Sequence, residues 1–469
     1  KFFSCGCCFA VMAKGLGFWG LVGAVFFATA GGPYNIEPAI QAAGAWPAVL
    51  TQLCVSLFWS FPVALVATEL SAAIPMNGGR ILWAQKAFVS HPWFADMLAF
   101  IMGSLIALHA LIDLAVYPGL VRTYLGQATG GECPEWVGFT ALAIAVVLNL
   151  QDLDLVGKAL VIFGACVILP FMVIVVEAVP LVPAGYEVML QSTPRIDYAV
   201  LLSTVIWNNS GYDICSVSAG DIDDVQHTLL PAMGLTCLLV AIQYMVPMAL
   251  GTVVDPHFSH WTNGHFSEVG ALAVGEWFRD VMAVGGVFAS MGLMNSRLRF
   301  AAQNLASMAQ LGLLPSAVGK TLESGAPVVA VFAYAAGVVA LVVMDFDLAI
   351  LFEVCAVICC GMIIAEIFLF LMLREVAPEL DRPFRIPFGT AGTALVLLPA
   401  VVVSAVGVAL NRIEAVAALA VVVAAAAAAH MVLDAVKLAV PVLFVDPQRS
   451  TDAWEPCPTV ELKDQKIDP

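Results

Sequence analysis

About 20 consecutive apolar residues span a bilayer as one helix. The first apolar segment of this chain, 16–45, has the length to do so but carries Gly31, Gly32 and Pro33 in its middle. The glycines lower helix propensity and the proline removes a backbone donor, so the helix is expected to unwind there. Glu37 follows, a carboxylate at a depth where charge is expensive. A second interruption, Trp207-Asn-Asn-Ser-Gly-Tyr-Asp213, lies near the middle of the chain. Two broken apolar helices in corresponding positions of two halves point to the binding site of a secondary transporter.

Composition agrees with a membrane setting. Hydrophobic residues make up 61% of the chain and charged residues 12%, against roughly 25% charged in soluble domains. Apolar stretches recur along all 469 residues, which reads as an all-α polytopic membrane protein of about twelve transmembrane helices embedded in the lipid bilayer. The formal net charge of −16 argues against nucleic acid or anionic lipid as partners. Acids inside apolar segments favour a cationic ligand instead. Cys54, Cys166, Cys215, Cys237, Cys355, Cys359 and Cys360 lie in apolar runs as small hydrophobes. Cys5, Cys7 and Cys8 are candidates for palmitoylation. There is no P-loop and no GxSxG, and the seven histidines show no metal spacing. No enzyme activity, cofactor or metal is therefore expected. His257, His260 and His265 are loop residues with a conceivable role in sensing outside pH. No cleavable signal peptide is evident. Because the chain opens on Lys1, an N-terminal piece is expected to be absent.

The expected organisation is an N-terminal cytoplasmic segment, 1–14, then a first half, 15–179, holding apolar segments 16–45, 46–74, 93–125, 135–150 and 155–179. A second half, 197–374, holds segments 198–219, 229–254, 277–309, 328–344 and 348–373. Two further segments lie within 390–440, and the polar tail 446–469 reads as a disordered cytoplasmic end. The run 421–430 is low in complexity and expected to face lipid. Residues 80–89 read as a short interfacial helix. With both termini cytoplasmic, inner loops carry Lys14, Arg80, Lys86, Lys158, Lys320, Arg374, Arg382, Arg385 and Lys437, and outer loops only Arg122, Arg195, Arg279 and Arg412. That bias selects termini inside.

The polar residues inside the segments carry the chemistry. Unwound backbone at Gly31 and Gly32 frees amides and carbonyls toward a cavity, although a packing kink is the plainer alternative. Tyr34 stands in the same break. Glu37 is placed to pair with an ammonium or to carry a proton; otherwise it stands in an outer vestibule. Asp113 has no basic residue at helical spacing, and Tyr117 lies one turn on, on the same face. A scaffold hydrogen bond is the alternative for both. In the second break, Trp207 offers a cation–π face, Asn208 and Asn209 offer amide oxygens, Tyr212 adds a further aromatic ring, and Asp213 offers charge or a proton site. Trp207 is expected to lid the cavity, with a membrane-interface or core aromatic as the alternative. The proton-coupling candidates are Glu37, Asp113 and Asp213. Glu69 reads as a gate or packing residue, Glu353 and Glu366 are ambiguous, and Arg297 and Arg299 read as gate or scaffold cations.

Six short signatures occur in order: the glycine break, Glu69-Leu-Ser, Pro75-Met-Asn-Gly-Gly79, Ala219-Gly220, Leu311-Gly-Leu-Leu-Pro315 and Arg382-Pro-Phe-Arg-Ile-Pro387. Together they resemble the amino acid–polyamine–organocation superfamily. Gly31-Gly-Pro-Tyr-Asn-Ile-Glu37, Ile112-Asp-Leu-Ala-Val-Tyr-Pro118 and Trp207-Asn-Asn-Ser-Gly-Tyr-Asp213 are similar to motifs of the polyamine uptake transporters of plants and trypanosomatid parasites. The sequence departs from them at Asn35, where glycine is usual, and at Asn295-Ser-Arg-Leu-Arg299, which replaces a more acidic segment. The resemblance implies a five-plus-five inverted repeat of the leucine-transporter type with two extra C-terminal helices. It implies import of polyamines such as putrescine and spermidine by proton symport with alternating access, in the plasma membrane. Substrate binding would then fall to Gly31, Gly32, Tyr34, Glu37, Asp113, Tyr117, Trp207, Asn208, Asn209, Tyr212 and Asp213. A proton-coupled transporter of cationic amino acids is the alternative.

Overall fold

A computed structural model describes residues 16–344 and 348–445. Cys5, Cys7, Cys8, Lys14, the N-terminal segment and the tail 446–469 lie outside the described residues. Helices account for all regular structure among the described residues, apart from one isolated bridge between Leu16 and Ile222.

Twelve apolar segments are recognisable among the described residues. The first is α1 (Phe18–Thr29) and α2 (Glu37–Ala43). The second is α3 (Ala45–Val55), a π-helical turn (Ser56–Ser60) and α4 (Phe61–Ala73). After the short α5 (Arg80–Ala87) come α6 (Pro92–Thr129), α7 (Glu135–Asn149) and α8 (Leu153–Ala178), then the short α9 (Val182–Met189). The sixth segment is α10 (Tyr198–Asn208) and a 3-10 stretch (Tyr212–Asp221). There follow α11 (Val225–Val254), α12 (Phe266–Val274), α13 (Glu276–Gln310), α14 (Val328–Val343), α15 (Leu348–Val376), α16 (Thr390–Leu410) and α17 (Ile413–Ala439). Seven continuous helical stretches among the described residues are long and apolar enough to cross a membrane, and α1, α7 and α14 are shorter apolar helices. The chain is a multi-pass membrane protein.

Burial sorts the helices. The apolar window of α6 is 72% buried and that of α17 only 11%, so α6 is central and α17 is an outer helix whose apolar side chains face away from the protein. Within the run expected to face lipid, Val421 is 66% exposed, but Ala426 and His430 are buried, with His430 packed against Trp93 and Phe100. The long helix α13 lies against α6 along much of its length.

The signature motifs meet in pairs. Asn77, in the turn after α4, donates to Asp221 Oδ1 (3.0 Å) and accepts from Gly220 N (2.8 Å), so the turn docks on the end of the sixth segment. Leu16 donates to Asp221 O (2.8 Å) and accepts from Asp223 N (3.1 Å), closing the start of the first segment on the same place. Glu69 on α4 accepts from Arg374 and Arg382 and from the backbone N–H of Ile386 (2.8 Å), joining α4 to the end of α15 and the chain beyond it.

One short helix differs from its expected place. The first half of residues 80–89 does not lie along a surface: Arg80, Ile81, Leu82, Trp83 and Ala84 are all buried, and only toward Val89 does the segment become exposed. Arg80 is thus not a loop charge. It points inward, where the carboxylates of Asp213 and Glu366 meet it.

Candidate functional site

The first break forms because three consecutive residues cannot continue α1. Gly31 and Gly32 adopt φ of +63° and +117°, and Pro33 has no N–H to donate. At Gly32 a Cβ would collide with the Val167 side chain of α8, so glycine serves both conformation and close approach. Asn35 also has positive φ, +69°. Asparagine is among the few residues that enter this region easily, which accounts for its standing where glycine is usual. The chain re-enters a helix at Glu37, with Pro38 in the first turn. A carboxylate there lies near the positive end of the helix dipole.

The second break is at Gly211, φ +119°, where a Cβ would come 2.5 Å from the Ala28 carbonyl oxygen. The two breaks are therefore in backbone contact. Side chains reinforce it: Asn208 donates to Asn35 O (3.0 Å), and its oxygen accepts from Tyr244 on α11 (2.9 Å). Tyr244 also donates to Ala30 O (3.1 Å). Tyr124 on α6 donates to Asn35 Oδ1 (3.2 Å). Asn209 turns the other way and exchanges hydrogen bonds with Gln52 (2.9 and 3.0 Å) while accepting from Ser56 (3.1 Å). Ser56 opens the π-helical turn, a local widening that often marks functional positions. Tyr34 is packed edge-on to Tyr124 and Phe171, with its hydroxyl on Met282 O (2.6 Å). Tyr212 is buried at the start of the 3-10 stretch.

Asp113 is the focus of the third segment. Tyr117 donates to its Oδ2 (2.8 Å) and the half-buried Trp207 donates to its Oδ1 (3.0 Å). The structure also supplies a cation that helical spacing did not disclose: Arg297 Nε of α13 lies 3.4 Å from Oδ2, and Arg297 Nη2 donates to Ser210 O (3.1 Å) in the second break. Arg297 thus ties α6, α13 and the sixth segment together.

Asp213 is ion-paired with Arg80, whose Nε is also 3.2 Å from Glu366 of α15. Glu37 is fully buried; its Oε1 accepts from Gly264 N (3.1 Å) and its Oε2 has no hydrogen-bond partner among the described residues. Four carboxylates are buried near the two breaks: Asp113, Asp213 and Glu366 meet two buried guanidiniums (Arg297 and Arg80), and Glu37 meets neither, so carboxylates outnumber guanidiniums by two. Arg299 lies apart from this group, toward Asn149 O (3.5 Å), and Glu69 has its own arginines. Glu353 lies at a partly exposed position beside Arg412 (3.3 Å).

The residues singled out in sequence therefore divide. Asp113, Tyr117 and Trp207 come together, and Asn208 reaches the first break through Asn35 O. Tyr34, Asn209 and Tyr212 are each engaged or packed within the protein. Sequence reading missed Arg80, Gln52, Tyr124, Tyr244 and the buried His109, which precedes Asp113 by one turn. The spacing His109–Asp113–Tyr117 was the available signal for the last of these. It also did not single out Asp255, which the structure gathers with His257 and His260.

A family model described as amino acid permease matches residues 16–427. The chain belongs to the amino acid permease family. This permease is similar to Polyamine transporter PUT1 of Oryza sativa subsp. japonica, 31% identical over 404 residues, covering 84% of this chain and 73% of that protein. It is similar to Probable polyamine transporter At1g31830 of Arabidopsis thaliana, 31% identical over 400 residues and covering 84% and 79% of the two chains. Polyamine transporter RMV1 of the same plant is 30% identical over 400 residues, with 84% and 80% covered. The permease is a transporter and not an enzyme, with the all-α polytopic fold of its family.

Proposed function

We propose that the permease imports polyamines such as putrescine and spermidine by proton symport. The observation that carries this reading is the buried excess of two carboxylates over guanidiniums around the breaks. Uncompensated charge is costly in surroundings of hydrocarbon. Bound cations or protons have to meet it. A diamine brings two ammonium groups and no carboxylate, which suits carboxylates, amide oxygens and an aromatic face. The relatives named as polyamine transporters support the same substrate class.

In this reading Asp113 holds one ammonium, with Trp207 over it and Tyr117 orienting the carboxylate. Arg297 occupies the cation's place on Asp113 when substrate is absent and yields it on binding. Glu37 and Asp213 are the further acceptors of charge, and one of Glu37, Asp113 and Asp213 carries the coupled proton. Gly31, Gly32, Tyr34, Asn208, Asn209 and Tyr212 shape the cavity. Residues 15–179 and 197–374 act as the two repeats, with 390–440 added outside them. The first, second, sixth and seventh segments pack on one another and rock as one bundle against the rest. Coupling requires proton and substrate to be bound together more favourably than either alone. The termini are cytoplasmic and the membrane is the plasma membrane.

A second reading, transport of a cationic amino acid, is favoured by Arg297: a guanidinium at the second break can hold a carboxylate. Uptake of radiolabelled putrescine into vesicles containing the purified permease separates the two. Uptake driven by an inward proton gradient, and blocked by excess spermidine but not by arginine, is expected. Absence of putrescine uptake with arginine carried instead overturns the polyamine reading.

A further inference from the structure

The loop after α11 carries a cluster that the transport site does not use. Asp255 follows the last residue of α11 and is nearly fully buried. His257 Nδ1 lies 2.9 Å from its Oδ1, and His260 Nδ1 lies 3.4 Å from its Oδ2. The ligand atoms of these three residues all fall within 4.8 Å of one another. Four ligands held tetrahedrally at about 2.0–2.1 Å from a metal stand roughly 3.4 Å apart, so the cluster is within side-chain adjustment of a coordination shell.

The surroundings hold the carboxylate in place. His265, itself buried, has Nε2 2.9 Å from Asp255 Oδ2, and Trp261 Nε1 donates to Asp255 O (3.2 Å). The rings of His257 and His260 stack at 5.2 Å, and their side chains are 69% and 57% exposed. An ion can therefore reach the site from solvent, and water can complete its shell. Two imidazoles and a carboxylate, with a position left open, suit zinc and its neighbours rather than calcium or magnesium, which prefer all-oxygen shells.

We propose that Asp255, His257 and His260 form a binding site for a divalent transition metal of the zinc class, with His265 orienting the carboxylate. The loop that would carry the ion also rests on α2: Gln41 Nε2 donates to Ser259 O (3.2 Å) and Gly264 N donates to Glu37 Oε1 (3.1 Å). A bound metal ties residues 255–260 together and stiffens the cover over the second half of the broken helix. The site depends on the loop geometry alone and not on the polyamine reading, which the vesicle uptake assay tests separately.

The test is calorimetric titration of ZnCl2 into the purified permease in lipid nanodiscs. One saturable equivalent per chain is expected, weakened at least about ten-fold in His257→Gln and in His260→Gln. Both side chains are largely exposed, so the variants keep the fold. Absence of saturable binding, or binding unchanged in both variants, overturns the proposal. On the unaltered chain, ZnCl2 is expected to slow amide hydrogen exchange across 255–265 relative to MgCl2. Equal exchange in the two salts overturns it independently of any variant.

Discussion

Two buried ionic clusters in this permease are built to opposite rules. At Glu69 every lone pair is used. Oε1 accepts from Arg374 Nε (3.1 Å) and Arg382 Nη1 (3.0 Å), and Oε2 accepts from Arg374 Nη2 (2.5 Å) and Ile386 N (2.8 Å). Arg374 in turn donates to Thr393 Oγ1 (2.6 Å) and Ile386 O (3.0 Å) and covers the Phe370 ring. Around the helix breaks the accounts stay open. Glu37 Oε2 and both oxygens of Glu366 have no hydrogen-bond partner among the described residues, and the carboxylates outnumber the guanidiniums. A closed network resists any change of partner and fastens helices. An open one leaves room for a visiting cation or proton, at a cost in stability that function has to justify.

The sharpest way to break that contrast is Glu69→Ala. It leaves two guanidiniums buried around a lost carboxylate, and removing one member of a buried pair costs about 3–5 kcal/mol. A large fall in thermal midpoint and in yield of monodisperse protein is expected. A midpoint near that of the unaltered chain means the cluster is no fastener. Asp113→Asn is expected to behave differently. Its amide keeps an acceptor for Trp207 or Tyr117, so the midpoint falls less than in Glu69→Ala. Putrescine kcat/KM falls by about 100-fold, or roughly 2.7 kcal/mol of transition-state stabilisation. Asp213→Asn is expected to abolish uptake with surface expression intact. Uptake retained in both variants removes the open cluster from the transport site.

The two clusters were not equally legible in the sequence. The breaks announced themselves locally, because Gly31, Gly32, Pro33 and Gly211 act on the backbone where they stand. Asp113 and Tyr117 were readable as a pair because four residues make one helical turn. The cations were not readable. Arg297 meets Asp113 from another helix far along the chain, and Arg80 follows a glycine turn that makes it look like a loop charge. The motifs of Glu69 and Arg382 were visible as words, but nothing local shows that they touch. The histidines of the 255–265 loop are spaced for a turn and meet where Asp255 and Trp261 fold the loop back on itself. Periodicity and backbone chemistry travel with the sequence; the pairing of charges belongs to the packing of helices.

Asn35 sharpens the comparison at its finest scale, because it belongs to the open cluster through backbone and side chain separately. Its positive φ is a demand on the backbone, and its Oδ1 accepts one hydrogen bond, from Tyr124. Asn35→Gly satisfies the first and deletes the second, so a loss of about 1 kcal/mol or less is expected. Asn35→Val keeps neither: a β-branched residue resists φ of +69°, which adds about 1–2 kcal/mol. Thermal midpoints of the purified variants rank them, with the glycine form close to the unaltered chain and the valine form clearly below it. If the glycine form falls as far as the valine form, the Tyr124 contact and not the backbone holds the first break open. The unwinding would then depend on packing from α6 rather than on the glycine–proline sequence.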